Sequence, residues 1–399
     1  MSPKEALNYI NIAHFFDHYF LLIFPTAVLA ISPAWGMDFS EVLLLGTPLY
    51  FAFALGTLPA GWLGDRLDRV MLIGIFFVGC GCSSLWISIA ASPIELSVGL
   101  GALGLFAAIY HPVGLAHITQ IGLRTGRALA VNGVYGNMGL AGAAIATGYF
   151  ASRFGWQSAF AVPGVISVLI GGILLYRNKG TSTEVTKTAI GRQREKMAFE
   201  RSVQVKVFSI ICVSALFGGM IFNIVTISLP KYFDVLFADV GADLVWVGAS
   251  AGVIFAAAAF AQLPVGELLD RVGARPILLY LLSGQMLMFL LLTQATQWLA
   301  YAGTLILVIL IFAQIPVTSW LIGKYLDVGI RSRALSVEYV LSLGVGSCAV
   351  PLISFLQREE IGFEVQFAGL AVAALITFAA ASQLPGIGSE ERETQSAKA

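Results

Sequence analysis

Leu58-Pro59-Ala60-Gly61-Trp62-Leu63-Gly64-Asp65-Arg66 returns about 205 residues later as Leu263-Pro264-Val265-Gly266-Glu267-Leu268-Leu269-Asp270-Arg271. Other anchors keep nearly the same offset. Arg127-Ala128-Leu129-Ala130-Val131 pairs with Arg333-Ala334-Leu335-Ser336-Val337, Pro112-Val113 with Pro316-Val317, and Gly155-Trp156 with Gly362-Phe363. A constant offset of this kind marks an internal repeat. With apolar stretches between the anchors, the halves are expected to form two homologous membrane bundles that hold a solute between them and rock around it.

Composition supports the membrane reading. The chain is 58% hydrophobic and 12% charged, whereas a soluble domain carries about 25% charged residues. A hydrocarbon core about 30 Å thick needs about 20 apolar residues per helix. Runs of that length fall at roughly 8–32, 42–63, 70–91, 94–118, 127–150 and 155–176. The second half supplies roughly 206–230, 244–268, 276–294, 298–323, 333–356 and 362–384. The expected fold is all-α: twelve transmembrane helices in two pseudo-symmetric six-helix bundles. The bundles would cover 1–176 and 206–386, with a cytoplasmic linker at 177–205 and a disordered cytoplasmic tail at 387–399. Within the linker, 192–201 reads as a basic helix suited to an anionic leaflet.

All basic residues except Arg153, Lys231 and Arg358 fall in the tails, the linker or the loops on the linker's side. The positive-inside rule then puts both termini in the cytoplasm, in a multi-pass protein of the inner membrane. The formal net charge of +0 gives no sign of nucleic-acid binding. The first apolar run is too long for a cleavable signal and ends without a small-residue cleavage site. Cys80, Cys82, Cys212 and Cys348 all lie within apolar runs and read as small core residues.

Between spans two and three, Gly61-Trp62-Leu63-Gly64-Asp65-Arg66-Leu67-Asp68-Arg69 resembles the cytoplasmic loop signature of the major facilitator superfamily, and 266–275 carries a second copy. The resemblance covers roughly 8–384, and departs from the pattern at Asp68, where Gly is usual. A carboxylate at one helix end can face the positive end of a neighbouring helix. Asp65 is expected to face the start of span eleven near Arg333, and Asp270 the start of span five near Arg127. Asp65, Arg66, Arg69, Asp270, Arg271, Arg127 and Arg333 are therefore candidate gating residues. A charged turn that only fixes topology is the plainer alternative.

Ala13-His14-Phe15-Phe16-Asp17-His18, Tyr110-His111-Pro112-Val113-Gly114 and Gly136-Asn137-Met138-Gly139 look like the fosmidomycin-resistance branch of that superfamily. That resemblance implies proton-coupled export. The branch often has an acidic and then a basic residue after its His-Pro; Val113 and Leu115 stand in those places here. A neutral or amphipathic substrate follows better than an anionic one.

Ionisable residues inside spans are costly and usually face a cavity or a partner. His14 and His18 are one helical turn apart, and Asp17 is three residues from His14. Three readings stay open: proton uptake and release, hydrogen bonding to a polar substrate, and a transition-metal site using His14, His18 and His111. Cysteine and methionine do not cluster with these histidines, so no metal is expected. His117 is the weakest site candidate of the four histidines. Asp17, His14, His18 and Glu338 are the expected proton-coupling residues. His111, Tyr110, Tyr135, Asn137, Asn223 and Gln314 are the expected substrate-binding residues. Pro112 and Pro316 predict helix breaks at matching places in the two halves.

The span-five glycines Gly133, Gly136, Gly139, Gly142 and Gly148 predict close helix approach. No Gly-Lys-Ser/Thr phosphate loop, His-Glu-x-x-His motif or Gly-x-Ser-x-Gly elbow occurs, so neither ATP-driven transport nor enzyme activity is expected. The expected function is secondary active transport of a small organic solute by a monomer, proton-coupled and outward, without a cofactor. The alternatives are uptake of a small solute or metal ion, and a membrane sensor that binds a solute without moving it.

Overall fold

The computed structural model describes residues 3–120, 125–178 and 199–385. Most of the linker, and the tail, lie outside the described residues. So does the side chain of Arg127. Among the described residues all regular structure is helical. The order is α1 (Pro3–Trp35), α2 (Phe39–Leu44), α3 (Thr47–Gly64), α4 (Arg69–Ser88), α5 (Pro93–Ala107), α6 (Tyr110–Gln120), α7 (Thr125–Phe154) and α8 (Trp156–Asn178). Then come α9 (Arg201–Leu236), α10 (Leu244–Ala259), α11 (Gln262–Val272), α12 (Ala274–Leu292), α13 (Gln297–Tyr325), α14 (Val328–Gly344), α15 (Gly346–Arg358) and α16 (Phe363–Ala381).

Eleven membrane-length apolar segments are present among the described residues, counting α2–α3, α5–α6, α10–α11 and α14–α15 as broken single spans. The remaining span, fifth along the chain, is α7, which has 30 residues and is about 45 Å long at 1.5 Å per residue. Its glycines and asparagines lower its hydropathy because it packs on protein along much of its length. The chain is therefore a multi-pass membrane protein of the expected fold. Phe51, Leu55, Leu58 and Trp62 form one stripe along α3, and each is more than half exposed. Such a stripe would be an aggregation hazard in water and suits acyl chains.

The breaks within spans have local causes. A Cβ at Gly46 would meet the Phe24 ring at 2.4 Å, and Pro48 follows in the first turn of α3, where a missing N–H costs least. Pro112 sits likewise in the first turn of α6, and Pro264 in that of α11. The expected matching break at Pro316 does not occur. α13 runs unbroken from Gln297 to Tyr325 through that proline, so the two halves differ at this place. Neighbouring helices can re-satisfy the carbonyl that an interior proline frees.

Contacts group the chain into two units. The first holds Met1–Glu184, Ile224–Ala259 and Gly346–Gly362; the second holds Val185–Asn223, Phe260–Val345 and Phe363–Ala399. In the first unit, α4 and α8 meet backbone to backbone, a Cβ on Gly81 falling 2.7 Å from the Gly164 carbonyl oxygen. The Ser84 and Ser167 hydroxyls donate across this seam to the Phe160 and Phe77 carbonyls, each at 2.7 Å. On α7, a Cβ at Gly139 would lie 2.1 Å from the Phe15 carbonyl oxygen of α1. Further along, a Cβ at Gly248 of α10 would lie 2.4 Å from the Ala144 carbonyl oxygen of α7. The Ser354 hydroxyl of α15 donates to the Ser40 carbonyl of α2 at 2.8 Å. In the second unit the core gathers Val207, Ile211, Leu278, Leu282, Leu321 and Ile322 from α9, α12 and α13. Lipid tails are as apolar as these side chains, so close packing and interhelical hydrogen bonds hold the helices together.

Gly139→Ala is expected to destabilise the protein by about 1–3 kcal/mol through overpacking against α1. Gly172, whose added Cβ meets nothing within 4 Å, should tolerate alanine or gain about 0.5–1 kcal/mol of helix propensity. Thermal unfolding in detergent measures both, and equal midpoints for the two variants would contradict the α1–α7 contact.

Candidate functional site

The first unit contains a polar cluster built by α1, α6 and α7. Asn11, His14, Asp17 and His18 lie on one side of α1 at spacings of three and four residues. His14 is buried, and its Nδ1 lies 2.7 Å from the Asn132 carbonyl oxygen of α7. A carbonyl only accepts, so Nδ1 carries the proton and the lone pair of neutral His14 sits on Nε2. That Nε2 is 3.1 Å from His18 Nε2. Room for the His14 ring exists because residue 136 has no side chain: a Cβ there would fall 2.5 Å from His14 Nε2.

Tyr110 is fully buried, stacks on His14 with ring centroids 4.7 Å apart, and donates to Asn132 Oδ1 at 2.9 Å. Asn132 Nδ2 in turn donates to Asn11 Oδ1 at 3.0 Å. Asp17 is 0% exposed, and its Oδ2 lies 3.2 Å from His111 Nε2 of α6. The His111 ring stands edge-on to both His14 and His18. Each of the three histidines offers a ring nitrogen within 4.8 Å of the others. Asn137 is buried and its Nδ2 finds no hydrogen-bond acceptor among the described residues. Tyr135 of the same helix is 42% exposed.

The remaining candidates lie in the second unit. Asn223 of α9 donates to the Gly219 and Ser342 carbonyls at 2.8 and 3.2 Å. Gln314 of α13 accepts from Gln285 Nε2 of α12 at 3.0 Å. Gln285 is fully buried, and its Oε1 has no donor among the described residues. Glu338 of α14 is half-buried. Five of the expected site residues (His14, Asp17, His18, Tyr110 and His111) thus form one assembly, joined by Asn11 and Asn132. His117 lies apart from it, beside Arg69, Ala6 and Tyr9.

A family model described as Major Facilitator Superfamily matches residues 10–323. The chain belongs to the Major Facilitator Superfamily. A protein of Escherichia coli (strain K12) named for metabolite transport, YaaU, is 26% identical over 30% of this chain and 27% of its own length. A protein of Chlamydia pneumoniae named for hexose phosphate transport is 22% identical over 43% of this chain and 38% of its own length. The alignments therefore span under two fifths of these curated relatives. A solved D-xylose–proton symporter shares the fold with a TM-score of 0.76 at 15% identity, covering 98% of each chain. This superfamily and its fold belong to membrane transporters of small solutes, which are not enzymes.

The superfamily loop has a concrete structural role in the first unit. Arg69 donates to the Gly64 carbonyl at 3.0 Å and to the Ala116 carbonyl at 3.2 Å, satisfying the C-terminal ends of α3 and α6. Asp68, the departure from the family pattern, caps α4 by accepting from the Met71 N–H at 2.7 Å, and also accepts from Asn178 at 2.9 Å. In the second copy Gly273 has φ +76°, a conformation that suits glycine. Asp65 lies 3.8 Å from Arg69 in its own loop and is largely exposed. Asp270 accepts from Trp320 Nε1 at 2.8 Å. Arg66 lies over the Trp62 ring, Arg271 pairs with Glu267, and Arg333 is exposed.

Asn11 gained no site role from sequence alone. The signal for Asn11 was its position three residues before His14, on the stripe that already held His14 and His18.

Tyr110→Phe removes the donor to Asn132 Oδ1 and leaves a buried acceptor unsatisfied, a cost of about 1–3 kcal/mol. Tyr135→Phe, at a partly exposed position, should stay within about 0.5 kcal/mol. Unfolding midpoints of the two purified variants compare them directly; an unperturbed Tyr110→Phe protein would contradict the ladder.

Proposed function

We propose that this protein moves a small organic solute across the inner membrane by alternating access, drives it with protons, and works in the export direction as a monomer. The observation that carries the proposal is Asp17, a carboxylate with no exposed surface at 3.2 Å from an imidazole of another helix. Inside a membrane helix bundle such a group is tolerable when protonated or when paired with a cation. Loading and unloading one proton on the Asp17–His111 pair switches between those states, and a helix packing that depends on the pair switches with it. His14 and His18 continue the cluster from the pair to the partly exposed side chain of His18, which supports a route for the proton. Glu338 would serve as a second carrier in the other half.

Tyr110, His111, Tyr135 and Asn137 from one half, and Asn223 and Gln314 from the other, would bind the solute. Val113 and Leu115 leave the α6 continuation uncharged, which supports a neutral or amphipathic substrate. The halves 1–176 and 206–386 would move as bundles joined by 177–205, with both termini in the cytoplasm. Asp65, Arg66, Arg69 and Arg127, and their counterparts Asp270, Arg271 and Arg333, would govern the switch. Export rests on the resemblance of the segments around His14, His111 and Asn137 to proton-coupled exporters. Uptake is the second reading, supported by the name of the symporter that shares this fold.

In proteoliposomes, Asp17→Asn is expected to abolish pH-gradient-driven solute movement while leaving solute counterflow intact. Driven transport at the wild-type rate in Asp17→Asn would reject Asp17 as the proton carrier. Counterflow lost together with driven transport in a folded variant would assign Asp17 to solute binding instead.

A further inference from the structure

His14 and His18 point the same way from α1, and His111 reaches them from α6. The Nε2 atoms of His14 and His18 are 3.1 Å apart. Two nitrogens bound to one tetrahedral zinc at about 2.0–2.1 Å stand about 3.4 Å apart. The α1 pair is thus already near chelating separation. The third nitrogen lies within 4.8 Å, and a side-chain shift of about 1.5 Å at most closes the set.

Three further features fit a cation. His14 donates its Nδ1 proton to the Asn132 carbonyl at 2.7 Å, which fixes the ring and leaves Nε2 as the donor atom. Imidazole ligands are generally oriented in this way by a backbone carbonyl or carboxylate. Asp17 is fully buried beside His111, and its Oδ1 has no hydrogen-bond donor among the described residues. Three neutral imidazoles and one ionised carboxylate leave a net negative site in a low-dielectric interior, which attracts a cation, and the carboxylate in turn offsets part of a divalent ion's charge. The side chain of His18 is only partly buried, which gives an ion an entry side.

We propose that His14, His18 and His111, with Asp17 as the balancing carboxylate, bind one divalent transition-metal cation of the zinc and cobalt class. Imidazole donors select that class over magnesium and calcium, which prefer oxygen ligands. The expectation of no metal turned on the missing cysteine and methionine, whose soft sulfur selects copper(I) and is dispensable for zinc. The inference stands apart from proton-coupled transport, because binding is read on the purified protein without a gradient.

The test uses full-length protein with its affinity tag removed, stripped with a chelator and dialysed against zinc or cobalt(II) chloride. One ion per chain is expected, with the visible absorption of tetrahedral cobalt(II). X-ray absorption of the zinc-loaded wild type should show a shell of histidine nitrogens. His14→Ala/His18→Ala should lose the ion, and Asp17→Asn should weaken binding by about 10–100-fold. His117→Ala should bind as the wild type does. Less than one ion on the wild type, an oxygen-only shell, or an unchanged cobalt spectrum in His14→Ala/His18→Ala would each overturn the proposal. The wild-type measurements decide the matter even if the double variant fails to fold. Absence of metal would leave proton-coupled transport standing, and failure of Asp17→Asn to alter driven transport would leave the metal site standing.

Discussion

The polar cluster depends on the contact between α1 and α7. Gly139 brings the α7 backbone against the Phe15 carbonyl, and Gly136 leaves the volume that the His14 ring fills. Only at that distance does His14 Nδ1 reach the Asn132 carbonyl. A side chain at either glycine would push α1 outward and separate His14 from its acceptor. Backbone approach, ring position and tautomer therefore have one cause.

Lipid raises the importance of this arrangement. Hydrocarbon offers no hydrogen bonds, so a buried polar group needs a partner inside the protein. The ladder from Tyr110 through Asn132 to Asn11 satisfies three side chains in sequence. Asp17 is the member left short, with His111 at ion-pair distance and neither carboxylate oxygen in hydrogen-bond geometry with a donor among the described residues. A buried carboxylate in that position is suited to bind something that comes and goes. A proton and a divalent cation both meet the requirement, and each reading follows from this same shortage.

The two copies of the repeated loop show how one motif finds different local solutions. In the first, Asp68 caps α4 and Arg69 binds carbonyls at the ends of α3 and α6. In the second, Gly273 takes a positive φ at the junction of α11 and α12, and Asp270 accepts from Trp320. A helix ends in both places, at Gly64 in the first copy and at Val272 in the second. The divergent ones follow the neighbours available to each loop. The same divergence appears at the interior prolines, where α6 begins anew just before Pro112 and α13 continues through Pro316.

The sequence by itself determined the class of the fold. Apolar run length is set by the thickness of the bilayer, and the repeat offset exposes the duplication; both are properties of the linear chain. It also placed His14, Asp17 and His18 on one helix, because helical spacing is local. Tertiary structure decided which distant groups meet them: His111 beside Asp17, Asn132 beneath His14, and Asn11 at the end of the ladder. Those pairings depend on the distance and rotation between packed helices. Glycines set that distance, and no spacing within a single helix encodes it.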